Sequence, residues 1–254
     1  MNLTGEALRG ILLPFWGTAA GALSVLVLRR GLNSLPERMI SGFAAGVMGA
    51  ASVWSLLLPA LEQAGRLGCW AFVPAVTGIW AGVAFLLGLE VLVPPCGASE
   101  GTQGRLLTAL AVTLHNVPEG MAVGVAYAAL LGGVSGMTAA GALTISAGIA
   151  LQNVPEGAII SLPLRAQGMG RGQALLWGVL SGAVEPVAAV LTVLCAAWIT
   201  PALPGLLGFA AGAMLCAVVE ELVPAMTAGE RSALPTLSCA LGFTLMLALD
   251  VGLG

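Results

Sequence analysis

The sequence predicts an all-α polytopic membrane protein of eight transmembrane helices, and three observations predict it. Of 254 residues, 58% are hydrophobic and only 8% are charged, with a mean hydropathy of +1.00, far from a soluble average. The chain divides into apolar stretches of about 20 residues, the length a helix needs to cross a hydrocarbon core ~30 Å thick. The connections are short, so no soluble domain fits between them. The weak alternation of a membrane barrel is absent, which leaves helices that satisfy their own backbone hydrogen bonds in lipid. Residues 1–254 therefore read as a single transmembrane domain.

The spans follow in order. The first, 11–29, follows Glu6 and Arg9 rather than a strongly basic region and lacks a small-residue cleavage site, so it reads as a retained span. The second, 37–60, carries Gly42-Phe43-Ala44-Ala45-Gly46-Val47-Met48 and runs on to Pro59. The third, 70–93, precedes a connection of roughly Pro94 to Gly104. The fourth, 105–130, contains His115-Asn116-Val117-Pro118-Glu119-Gly120, and the fifth, 137–163, contains Gln152-Asn153-Val154-Pro155-Glu156-Gly157. The sixth, 171–197, holds Gly182 and the pair Glu185-Pro186. The seventh, 203–225, repeats the second as Gly208-Phe209-Ala210-Ala211-Gly212-Ala213-Met214 and leads to Pro224, and 234–252 is the eighth.

Charge gives the orientation. The chain has no lysine; Arg29, Arg30, Arg38, Arg105, Arg165, Arg171 and Arg231 fall in alternate connections, and only Arg9 and Arg66 fall on the opposite side. An excess of basic residues in short loops marks the cytoplasmic side, which places both termini outside. Cys69, Cys96, Cys195, Cys216 and Cys239 form no C-x-x-C pair, so no disulfide framework is expected. Glycine pairs spaced by four, among them Gly17/Gly21, Gly42/Gly46, Gly120/Gly124, Gly178/Gly182 and Gly208/Gly212, let helices approach where lipid supplies no hydrophobic drive. The net charge of -3 says little about partners. Membrane lipid is the expected surrounding, and no nucleic-acid partner is expected.

The chain repeats itself in two places. Spans two and seven share the Gly-Phe-Ala-Ala-Gly motif, spans four and five share Asn-Val-Pro-Glu-Gly, and an eight-span order makes both pairs antiparallel. Inverted repeats with binding residues on proline-interrupted helices mark many secondary transporters. On a helix, His115, Asn116 and Glu119 project onto one face, and Gln152, Asn153 and Glu156 repeat that face on the neighbouring span. Pro118 cannot donate to the carbonyl of Leu114, nor Pro155 to that of Leu151, so each motif also loosens its helix.

Energy sharpens the point. A charged residue at mid-membrane costs ~2.5–3.5 kcal/mol on insertion scales, and Glu119, Glu156, Glu185 and Glu220 or Glu221 need compensation. No arginine lies deep in a span, leaving protonation, water or a bound cation. Imidazole, carboxylate and amide groups suit zinc, iron, manganese or cadmium, whereas an all-oxygen shell suits magnesium or calcium better. The lone His115 tips the choice towards the first group, and mixed ligation lets a carrier release its ion.

At these residues the sequence resembles the ZIP (Zrt-, Irt-like) metal transporter family, especially its bacterial GufA-type branch, whose fourth and fifth spans carry closely similar motifs. The resemblance implies eight helices in a 3+2+3 inverted-repeat bundle. Spans 1–3, about 11–93, pair with spans 6–8, about 171–252, around a central metal-site pair at about 105–163. It implies zinc uptake into the cytoplasm with Cd2+, Fe2+ or Mn2+ as competing cargo, a homodimer in the inner membrane, and no prosthetic group or enzymatic activity. Carried over by position, one ion sits among His115, Glu119, Gln152 and Glu156, and a second among Asn116, Glu119, Asn153, Glu156 and Glu185. Met48 adds a thioether near the first ion, and Ser55 and Glu220 lie on the transport route. The resemblance also implies that the motif-bearing bundle, spans one, four, five and six, moves against spans two, three, seven and eight as an elevator. Two departures weaken ligation: Asn153 stands where related proteins can have an acidic residue, and Gln152 where many eukaryotic members have histidine. The Pro94 to Gly104 connection also lacks a histidine-rich cluster.

Rival readings stand beside these. Asn116 and Asn153 can bridge helices by hydrogen bonds, and Met48 and Met214 can be gap-filling packing residues. Glu90, Glu221, Glu230 and Asp250 lie near predicted span ends, where interfacial solvation accounts for them. A proton-coupled carrier for a non-metal substrate would use the glutamates as relays. An intramembrane metallohydrolase would use one to activate water, but the chain has one histidine and no His-Glu-x-x-His motif.

Overall fold

The computed structural model describes residues 5–27, 34–92, 102–133, 137–166, 168–195 and 202–253. Among them all regular structure is helical. Helix α1 (Gly5–Ala22) continues into a short α2 (Ser24–Val27). Helix α3 (Ser34–Ala51) passes through a π-helical stretch, Ser52–Leu57, into α4 (Leu58–Gln63). A 3-10 turn at Gly65–Trp70 leads to α5 (Phe72–Leu92). The motif helices are α6 (Thr102–Leu131) and α7 (Ala139–Ala166). After them come α8 (Arg171–Gly182) and α9 (Val184–Leu194). Helix α10 (Leu203–Ala217), a second π-helical stretch Val218–Leu222, and α11 (Val223–Thr227) form one rod, and α12 (Leu234–Leu253) follows.

Five of the described helical segments are long and apolar enough to cross a membrane: Gly5–Val27, Leu35–Gln63, Arg171–Leu194, Leu203–Thr227 and Leu234–Gly252; Phe72–Gly88 is a shorter apolar helix. The first helix begins at Gly5, ahead of the expected residue 11, because its opening turn is amphipathic. Glu6 and Arg9 face outward there, while Ala7, Gly10 and Ile11 pack inward. The sixth span is broken at Ala183, whose amide bonds back to the Leu180 carbonyl at 3.1 Å. Pro186 has no N–H to offer the Gly182 carbonyl, which is where the α-helical ladder lapses. Arg29, Arg30, Cys96 and most of the Pro94 to Gly104 connection lie outside the described residues.

The two π-helical stretches begin at the same position relative to their Gly-Phe-Ala-Ala-Gly copies. Each stands just before a proline, Pro59 or Pro224, that cannot donate to the carbonyl of Ser55 or Glu220, and a widened turn absorbs the missing bond. Counted from the first glycine of each copy, Ser55 corresponds to Glu221; counted back from each proline, it corresponds to Glu220.

The helices associate most extensively in four pairs: α3 with α12, α5 with α10, α1 with α7, and α6 with α9. Glycine explains why. A Cβ on Gly42 or Gly46 would strike the carbonyls of Pro235 or Cys239, and one on Gly242 that of Phe43. Gly78 and Gly82 meet the carbonyls of Gly205 and Phe209 in the same way, and Gly17 and Gly21 those of Ala150 and Val154. Among the described residues such backbone contact falls within two groups, one of α1 and α6–α9, the other of α3–α5 and α10–α12. Between the groups, among the described residues, the glycine contact is that of Gly148 with the side chain of Met246. Within the second group, the buried Arg38 donates from Nε to the Met226 carbonyl (3.2 Å) and from Nη1 to the Glu230 carbonyl (2.7 Å), pinning the turn after α11 to the start of α3.

Candidate metal centre

Both motif helices run unbroken through their prolines, and the glycine that closes each motif seats a neighbour. Gly120 lies against the backbone carbonyl of Glu185 on α9, and Gly157 against that of Thr18 on α1. A side chain at either position would push that helix away. With both seated, Thr18 and Glu185 meet: Thr18 Oγ1 donates to Glu185 Oε1 at 2.9 Å.

Around this contact the polar side chains of the two motifs divide into two sets. Asn116 Nδ2 donates to Glu185 Oε1 (3.1 Å) and to the Ser181 carbonyl (3.1 Å). Asn153 Nδ2 donates to Glu185 Oε2 (2.8 Å) and to the Pro14 carbonyl (3.4 Å). Gln152 Nε2 donates to Glu119 Oε1 at 2.6 Å, and Glu119 and Glu156 line the same small cavity. Asn116, Glu119, Gln152, Asn153 and Glu185 are each no more than 3% exposed. Among the described residues six side-chain oxygens are buried with no hydrogen-bond partner: the Ser24 and Ser161 hydroxyls, and four at the centre, Glu119 Oε2, Gln152 Oε1, Asn153 Oδ1 and Glu156 Oε2. All four belong to the repeated motif. Buried acceptors without a donor are costly in an apolar interior, and a cation is the partner that relieves several at once.

Beside them lies a cavity of about 60 Å³, whose wall includes Met48, Asn116, Glu119, Glu156, Met214 and Glu221. That is room for a cation with water, since one water needs roughly 10–15 Å³. The two methionines come from the two Gly-Phe-Ala-Ala-Gly copies and add soft sulfur to an oxygen-rich wall. Among the described residues no three His, Cys, Asp or Glu side chains converge on a metal-sized space. The candidate donor set is thus one of carboxylates mixed with amides.

The other expected residues fall as follows. The helix carrying His115 is described, but the His115 side chain lies outside the described residues. Ser55 is buried and donates to Asp250 Oδ1 at 2.7 Å. The pair lines a separate recess of about 1290 Å³, together with Glu62, Met137 and Ala202. Glu220 and Glu221 are both exposed, and of the two the cavity wall contains Glu221.

Three contributors were missed in the sequence. Glu221 shares a helical face with Met214 and Ala217, a spacing that could have revealed it. Asp250 looked like an interfacial acid near a span end. Thr18 gives no signal in an apolar helix, where such a residue commonly bonds its own preceding turn, as it also does here to Pro14 at 3.5 Å.

A family model described as ZIP zinc transporter matches residues 97–250. The chain is similar to zinc transporter ZIP11 of Homo sapiens, 33% identical with 98% of this chain and 97% of that protein covered. It is 38% identical to zinc transporter ZIPB of Bordetella bronchiseptica, covering 98% and 82%, and 35% identical to zinc transporter GufA of Myxococcus xanthus, covering 98% and 100%.

Proposed function

The chain belongs to the ZIP zinc transporter family, and from that premise we propose that it carries divalent transition metal, zinc foremost, into the cytoplasm by alternating access. The observation that carries this reading is the set of four buried, donorless oxygens on Glu119, Gln152, Asn153 and Glu156. In lipid such groups need a partner, and a dehydrated divalent cation supplies one. His115 completes the shell around the cargo, with Met48 contributing sulfur. Cadmium, iron and manganese ions compete for the same donors. Glu220 and Ser55 lie on the route to and from the centre. The carrier needs no prosthetic group and no catalytic residue.

The architecture that serves this function is a 3+2+3 inverted repeat of eight spans in the inner membrane, with both termini outside and two copies forming a homodimer. The group of α1 and α6–α9, which holds Glu119, Glu156 and Glu185, moves as an elevator against the group of α3–α5 and α10–α12. Backbone-to-glycine contact within each group, against a flexible side chain between them, supports that division.

The test is zinc flux into proteoliposomes loaded with a zinc-sensitive dye, comparing the parent with Glu156→Ala and His115→Ala at matched incorporation. Uptake is expected in the parent, abolished in Glu156→Ala and weakened in His115→Ala. A folded parent that moves neither zinc nor competing divalent metals sinks the proposal, and flux of another solute that survives chelation directs attention to a proton-relay carrier.

A further inference from the structure

The polar side chains at the centre divide by what their oxygens do. Glu185 is 1% exposed, and both its oxygens already accept hydrogen bonds: Oε1 from Thr18 Oγ1 and Asn116 Nδ2, and Oε2 from Asn153 Nδ2. Glu119, Gln152, Asn153 and Glu156 each keep one buried oxygen without a donor, and no oxygen of Glu185 is in that set. We infer that Glu185 is a positioning residue and not a metal ligand, and that the centre holds one ion per chain. The inference rests on the metal-carrier reading proposed above.

The amides fix the division. Each amide nitrogen of Asn116 and Asn153 has two protons and spends both, one on Glu185 and one on a backbone carbonyl, Ser181 or Pro14. Turning either amide to aim its oxygen at Glu185 would give up both bonds and set oxygen against oxygen. Asn153 thus links the two sets: its nitrogen is anchored on Glu185, and its oxygen Oδ1 remains among the donorless four. By holding Asn153, Glu185 fixes where that oxygen points.

The residue type at 153 decides the ion count. An ionised aspartate there has no proton to give, so two carboxylates would face each other, a pair that a second cation between them would hold together. The asparagine amide does that work with a neutral N–H. One divalent ion also balances the charges of Glu119 and Glu156, the two carboxylates that retain free oxygens. Thr18 supports the same geometry from α1, held there by Gly157 and Gly182.

The experiment counts zinc bound to the purified full chain in lipid nanodiscs by equilibrium dialysis at saturating metal, taking the ions lost in Glu156→Ala as those at the centre. A difference of one is expected in the parent and again in Glu185→Gln, rising to two in Asn153→Asp. A parent difference of two that falls to one in Glu185→Gln overturns the inference while leaving the carrier reading intact. A parent difference of zero overturns the carrier reading and the inference with it. Thr18→Val, nearly the same shape without the hydroxyl, separates positioning from packing. It should keep the single ion but lower its affinity by about tenfold, with Thr18→Ser restoring it. Unchanged affinity in Thr18→Val overturns the positioning role.

Discussion

Gln152 on α7 donates its amide to Oε1 of Glu119 on α6 over 2.6 Å, joining the second copy of the motif to the first. The bond leaves Gln152 Oε1 and Glu119 Oε2 both buried and both without donors. One side chain therefore orients a carboxylate and presents an oxygen of its own.

Gln152→Leu removes both roles while keeping the volume. Zinc flux in proteoliposomes should fall by about 10–100-fold, the range seen when a group that orients a metal ligand is lost. Expression and thermal stability should stay near those of the parent. Flux within twofold of the parent would separate Gln152 from the cargo.

Met48 and Met214 both border the cavity and are nearly fully buried. Met48→Leu keeps the packing at a cost below about 1.5 kcal/mol and deletes the sulfur. Cadmium, the softer ion, should lose flux relative to zinc in competition assays. An unchanged cadmium-to-zinc ratio would reduce Met48 to a packing residue.

Gly46 and Gly49 sit one turn apart on α3 in opposite surroundings. A Cβ on Gly46 would meet the Cys239 carbonyl, whereas one on Gly49 has nothing within 4 Å. Gly46→Ala should destabilise by about 1–3 kcal/mol, and Gly49→Ala should remain within about 1 kcal/mol of the parent. Thermal unfolding in detergent, followed by circular dichroism, checks the pair.

Ser55 and Glu221 correspond when counted from the first glycine of each motif copy, yet one lines the 1290 Å³ recess and the other the cavity at the centre. In a cysteine-free background, Ser55→Cys should react with a membrane-impermeant maleimide added to intact cells, since the recess faces outside in the proposed orientation. Glu221→Cys should react only after the cytoplasmic side is opened. The reverse pattern would invert the topology.

The sequence made the helical class, the motif helices and the carboxylate positions legible, because each depends on local spacing. Asn116, Glu119, Gln152 and Asn153 are buried together as their helical periodicity required. Which polar atom meets which was beyond local spacing. The contacts of Glu185 with Thr18 and Asn153 cross 167 and 32 positions of sequence, and they depend on how closely Gly120 and Gly157 let whole helices approach. Glu220 and Glu221 could not be told apart by composition; the face shared with Met214 distinguishes them. The break at Ala183 follows from Pro186, a signal that the long apolar run around it masks.

Gly148 and Met246 meet where the two helix groups adjoin. Elsewhere a sliding helix would have to lift a carbonyl out of a glycine notch, a stepwise penalty set by rigid backbone. Here the opposing surface is an unbranched thioether with several rotatable bonds, which can yield by changing rotamer. In the proposed elevator, friction along this seam belongs to side-chain torsion, and a branched residue at 246 would act as a brake on each crossing.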